Sequence, residues 1–123
     1  MSVSHVLNVV GAVGTIGMGC LGLLTPDQAS KFTGLAATNK TAFAEFRATF
    51  GGSFEFMGAI PLITNNTWAY FMAGMFWAGA SGGRLISIIL DKGHREPKNL
   101  GGVLFEGMFA GLLLAGSSLI HLN

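Results

Sequence analysis

A chain of 123 residues, half of them hydrophobic and 11% charged, is too apolar for an ordinary soluble surface and too short for a second domain. Its net charge of +1 lacks the basic excess of a nucleic-acid binder, so nucleic acid is not an expected partner. The single cysteine, Cys20, lies in an apolar run, supports no disulfide framework within one chain, and reads as a small core residue.

Residues 5–24 contain no Lys, Arg, Asp or Glu and approach the roughly 20 residues that carry a helix across about 30 Å of hydrocarbon. Thr25 and Pro26 stop this stretch. Met1 to His5 carry no Lys or Arg and no small-residue cleavage pattern precedes Thr25, so the span is expected to be retained. The connection 25–40 is long enough for a short interfacial helix with Phe32 and Leu35 toward the headgroups, a solvated connector or a lid. Further spans are expected over 41–63 and 67–90, joined by the polar corner Thr64, Asn65 and Asn66. Asn65-Asn66-Thr67 fits a glycosylation pattern on the outer side, but it hugs the membrane, which favours chance or helix capping. After the hydrophilic loop, a fourth span is expected over 101–121. The expected fold is therefore all-α: a four-transmembrane-helix bundle running up-down-up-down with short loops.

Lys31 and Lys40 lie in the first connection and Lys92, Arg95 and Lys98 in the third, whereas the second connection and both termini have no Lys or Arg. The positive-inside rule then puts 25–40 and 91–100 in the cytoplasm and both termini outside. Small residues recur every fourth position: Gly11, Thr15, Gly19; Ala44, Ala48, Gly52; Gly74, Ala78, Gly82; and Gly107, Gly111, Ala115. Such faces let helices approach closely inside one bundle or across a homo-oligomer.

Ionisable residues at membrane depth are expensive and point inward. By helical rise, Arg47, Arg84 and Glu106 each lie roughly 8 to 9 Å inside the same end of their helices, with Glu45 a turn shallower. Asp91 follows Arg84 on nearly the same face, with Ser87 between them. The five charged residues are expected to form one layer, with Ser87 beside Arg84, in which the two guanidiniums bridge the carboxylates or line a polar cavity for an anionic headgroup. Glu55 stands apart, roughly 20 Å from that end of its span by the same rise, with Thr15 and Asn8 as its expected neighbours. Isolation in so apolar a setting favours the neutral carboxylic acid, the state a general acid requires. Met57, Met72, Met75 and Met108 read as core residues. His5, His94 and His121 fall at opposite ends, so no metal site is expected, and no P-loop or dinucleotide fingerprint calls for a cofactor.

The segments AEFRATFGG at 44–52, GRLISIILD at 83–91 and FEG at 105–107 resemble a bacterial family of small four-helix membrane proteins of uncharacterised function, related to the DoxX-like group. The resemblance covers the last three spans and implies an inner-membrane four-helix fold. Residue by residue, it implies Glu45, Arg47, Arg84, Asp91 and Glu106 as recurrent polar positions, and it does not include Glu55. Two functions follow as expectations. One is a membrane protein that binds a lipid-like or quinone- or isoprenoid-like molecule, or serves as an accessory subunit, through the Arg/Glu layer. The other is an intramembrane isomerase or cyclase of an isoprenoid or sterol-like substrate, with Glu55 as proton donor and Glu45 and Glu106 as bases.

Overall fold

A computed structural model describes residues 2–92 and 96–117. Helix α1 runs over Val3–Leu24, opened by the Ser2 hydroxyl, which accepts from the His5 amide at 3.2 Å. Thr25 closes it, and Pro26, fixed in φ and lacking an N–H, begins the short helix α2 over Pro26–Thr33. Gly34 ends α2 at φ 81°, a left-handed conformation that a Cβ disfavours. Asn39 caps α3, Lys40–Arg47, which passes through a π-helical turn, Ala48–Gly52, into α4, Ser53–Thr64. Asn65 turns the chain at φ 49°, and the Asn66 side chain accepts from the Trp68 amide at 2.8 Å to start α5, Thr67–Leu90. The Asn65-Asn66 corner thus serves both helix ends, as capping requires. Helix α6 covers Pro97–Leu114. All regular structure among the described residues is helical.

The long helices alternate in direction. Asn8 meets Leu112 and Leu113, while Gly14 faces Phe109, so α1 and α6 are antiparallel. Gly22 lies on Phe50 and Gly58 on Ala12, so α1 opposes α4 too. Gly74 faces Leu114 while Gly102 faces Arg84, which sets α5 against α6. Glycine permits the closest of these approaches: a Cβ on Gly22 would stand 2.1 Å from the Phe50 carbonyl oxygen.

Two helices, α1 and α5, are long and apolar enough to cross a membrane. The expected spans 5–24 and 67–90 coincide with them. The expected span 41–63 is helical but divided by the π turn, and α6 opens on the polar run Pro97, Lys98, Asn99. The end of the expected span 101–121, with His121, lies outside the described residues, as do His94 and Arg95.

Of the four small-residue series, only the first is realised as a packed face, with Gly11, Thr15 and Gly19 all buried. Ala44 and Ala48 are exposed, Gly82 and Gly111 have open space where a Cβ would stand, and Gly51 and Gly58 make the close contacts instead. Cys20 is exposed, not a core residue, and Met72, Met75 and Met108 also face outward. The core is aromatic. Trp77 stacks on Phe109 at 4.8 Å and meets Phe54 at 5.2 Å, and Phe54 meets Phe76 at 5.3 Å. Offset and edge contacts of this kind each contribute about 0.5 to 1.5 kcal/mol beyond area burial. The Trp77 indole N–H donates to the Thr15 hydroxyl at 2.9 Å, which donates to the Gly11 carbonyl at 2.8 Å.

Candidate functional site

The contrast between two interfaces creates a cavity. Helices α5 and α6 meet along most of their length, whereas α4 and α5, with Phe54, Phe76 and Trp77 wedged between them, touch sparsely. The opening is a cavity of about 330 Å³, bounded by Met18 of α1, Phe50 of the π turn, Phe54 of α4, Trp77 of α5 and Phe105 of α6. Phe32 and Thr33 of α2 complete the wall, and Phe32 meets the Phe105 ring edge-on at 5.6 Å. The volume lies at the low end of the roughly 300 to 1,000 Å³ of small-molecule sites.

Arg84, Glu106 and Lys98 supply the charge in this wall. Arg84 Nε lies 3.1 and 3.2 Å from the two carboxylate oxygens of Glu106, and its Nη2 donates to Oε1 at 2.8 Å. The pair is largely buried, with side-chain exposures of 31% for Arg84 and 11% for Glu106. Gly102 makes room for it: a Cβ there would lie 2.5 Å from Arg84 Nε. Lys98 Nζ donates to the carbonyl oxygens of Lys31 at 2.5 Å and Phe32 at 3.4 Å, in the last turn of α2. A cation there complements the negative end of the helix dipole. This contact also brings the first and third connections to the same end of the molecule.

The expected layer of five charged residues is realised only in part. Arg84 and Glu106 meet, and theirs is the single ion pair among the described residues. Arg47 does not join them; its Nη1 donates to the Leu23 carbonyl at the end of α1, and Arg47 is exposed. Glu45 is exposed as well. Asp91 accepts from the Ser87 hydroxyl at 2.7 Å, one turn along an exposed face, and meets neither arginine. The physical reason is angular. Helical rise fixes depth but not azimuth, and Glu45 and Arg47 precede a π turn whose wider winding rotates them relative to α4.

Glu55 is also placed differently from expectation. Its Oε1 is buried without a hydrogen-bond partner among the described residues, its carboxyl lies beside Cys20, and a Cβ on Gly19 would stand 2.7 Å from Oε1. Thr15 is instead engaged by Trp77, and Asn8 by the carbonyls of Leu112 and Leu113 at 2.8 and 2.9 Å. The sequence does not single out Lys98, because a lysine in a loop ordinarily faces solvent. Its position after Pro97 in the first turn of α6 is the signal that could have singled it out.

A family model, described as a domain of unknown function (DUF4345), matches residues 3–117. The chain belongs to this family. No curated protein and no solved structure matches it. The match takes in α1 to α6, so the Arg84–Glu106 pair, Lys98 and the aromatic wall all fall within the family's domain.

Proposed function

We propose that this DUF4345 protein is a four-span integral membrane protein that holds a lipid-like, quinone-like or isoprenoid-like molecule between its helices. The observation that carries this reading is the cavity itself: an aromatic chamber with the Arg84–Glu106 pair in its wall and Lys98 at its rim. Rings favour an apolar body, and a few fixed polar groups orient a head, as in small-molecule sites generally.

Membrane insertion is supported by the two long apolar helices, by their alternating neighbours, and by a surface carrying Val10, Phe56, Ile63, Ile86, Ile89 and Leu104. Lys31, Lys40, Lys92 and Lys98 belong to the two connections that meet at one end, which is the cytoplasmic end in this reading, with the termini outside. The resemblance to a bacterial family supports an inner-membrane location. A reporter inserted at Lys92 that reads as non-cytoplasmic would sink this topology.

The cavity is tested by filling it. Gly101 lines the chamber and has open space where a Cβ would stand, so Gly101→Trp places an indole where the ligand body belongs. Native mass spectrometry of the detergent-purified protein is expected to show one co-purified amphiphile on the parent and none on Gly101→Trp. Equal lipid retention by both overturns the site.

One observation favours a second reading, an intramembrane acid-base isomerase or cyclase: the buried Oε1 of Glu55, which has no hydrogen-bond partner among the described residues. Glu55 does not line the aromatic chamber, and Glu45 lies on the surface, so no acid-base pair faces the ligand. Binding is therefore the better supported function. Loss of in vivo complementation by Glu55→Gln, with the protein still folded, would reverse that preference.

A further inference from the structure

Resting on the reading that the aromatic chamber holds an amphiphile, we propose that this ligand is a single-chain monoanion and that Lys98 selects it, exchanging the α2 carbonyls for the anionic head and so unlatching α2.

Two cations and one carboxylate, Arg84, Lys98 and Glu106, line the chamber and leave it a net charge of +1. Glu106 occupies Nε and Nη2 of Arg84, so that cation is already neutralised. Lys98 has no carboxylate partner among the described residues and is held by two backbone carbonyls alone. Lys98 is itself exposed, at the open side of the chamber; carbonyl dipoles solvate its ammonium without cancelling the charge, so an anionic head arriving at that side meets an uncompensated cation. A ligand with one anionic oxygen group and one apolar chain fits that arrangement. The chamber volume of about 330 Å³, walled by a file of rings and open at one side, takes the greater part of one acyl or prenyl chain and leaves no room for a second.

The same ammonium fastens α2. This helix has eight residues, too few to be stable by itself, so its place depends on tertiary contacts. Those contacts include packing on α1 and α3, with Pro26 and Ala29 buried, the Phe32–Phe105 ring contact and the two bonds from Lys98. The Lys98 stem passes over Gly34, where a Cβ would lie 3.2 Å from its Cδ. If Lys98 turns to an anion in the chamber, the carbonyls of Lys31 and Phe32 return to water. Both residues are exposed, so their carbonyls can be rehydrated in place. Ligand charge would thereby loosen the segment whose Phe32 and Thr33 close the chamber.

The experiment uses Trp77, which lines the chamber and becomes the sole tryptophan in a Trp68→Phe background. Its fluorescence is titrated in detergent, at alkaline pH, with dibrominated stearate and with the corresponding dibrominated alcohol. Stearate is expected to quench saturably with about tenfold higher affinity than the alcohol, as a charge-assisted bond implies. Lys98→Gln is expected to abolish the difference and Lys98→Arg to keep it. Equal affinity of acid and alcohol, or a preference unchanged in Lys98→Gln, overturns the role of Lys98 while leaving the amphiphile site standing. Absence of saturable quenching by either probe overturns both. Quenching by dibrominated phosphatidylglycerol as strong as by stearate overturns the single-chain assignment. For the latch, amide exchange in residues 26–34 is expected to quicken with stearate and, without ligand, in Lys98→Gln. Exchange that is unchanged or slowed in both cases overturns it.

Discussion

Arg84 and Arg47 lie at similar depths along their helices but in different surroundings, and the contrast separates the α5–α6 hairpin from the rod formed by α3, the π turn and α4. In the hairpin, α5 and α6 approach closely, and Arg84 lies across Gly102 to reach Glu106. In the rod, glycines are spent on contact with α1, and Arg47 remains at the surface with the Leu23 carbonyl. One arginine completes an interior, and the other dresses a helix end. Depth alone does not make a charged residue internal; the neighbouring helix must offer both a gap and a counter-charge at that azimuth.

The largest effect should come from breaking the hairpin pair. Arg84→Leu strands the carboxylate of Glu106, for which buried pairs lose about 3 to 5 kcal/mol; partial exposure of Arg84 puts the expectation near the lower figure. Reversible unfolding in mixed micelles measures it, and Arg84→Leu combined with Glu106→Leu should regain most of the loss. A single variant as stable as the parent would show that Arg84 reaches water.

A smaller effect is expected where α1 meets the rod. Gly22→Ala puts a methyl group onto the Phe50 carbonyl, and overpacking of that kind typically costs about 1 to 3 kcal/mol. Gly17, with nothing within 4 Å of a Cβ, is the control, and Gly17→Ala should stabilise by up to about 1 kcal/mol from helix propensity. Thermal melts in which both substitutions act alike would dissolve the distinction between contact and idle glycines.

Arg47→Leu should be the mildest, below about 1 kcal/mol, since it removes one bond to a helix-end carbonyl. A loss as large as that of Arg84→Leu, in the same micelle assay, would place Arg47 inside the bundle and erase the comparison.

The elements that were legible in the sequence are those set by one-dimensional signals. The uncharged run before Thr25 delivers α1, and Asn65-Asn66 announces a helix-to-helix corner because asparagine tolerates positive φ and caps well. Arg84 and Glu106 could be matched because α5 and α6 are unbroken between those residues and the connecting loop, so counting inward works for both. Counting gives the depth of Glu45 and Arg47 as well, since α3 is unbroken from Asn39 to Arg47, but not their azimuth, which the π turn that follows sets apart from α4. Counting fails for Glu55 because its neighbours, Gly19 and Cys20, depend on which helix lies beside α4. The aromatic chamber is not legible for a related reason: Phe32, Phe50, Trp77 and Phe105 are far apart in the chain, and ten phenylalanines among 123 residues carry no mark of which will converge.

The π turn at 48–52 has a further consequence for comparing members of this family. Such a turn holds one residue more than the α-helical path it replaces, so it behaves as an insertion lodged inside a continuous helix. A relative that lacks one residue in this stretch would close the turn into ordinary α-helix. Its residues equivalent to 40–47 would then rotate by about 100° and shift along the axis by about 1.5 Å. Alignments that forbid gaps within helices would misplace every position before Ala48 by one. The gap belongs at the phenylalanine-glycine step, and relatives with and without it should differ in which face of their first loop-proximal turn carries the basic residue.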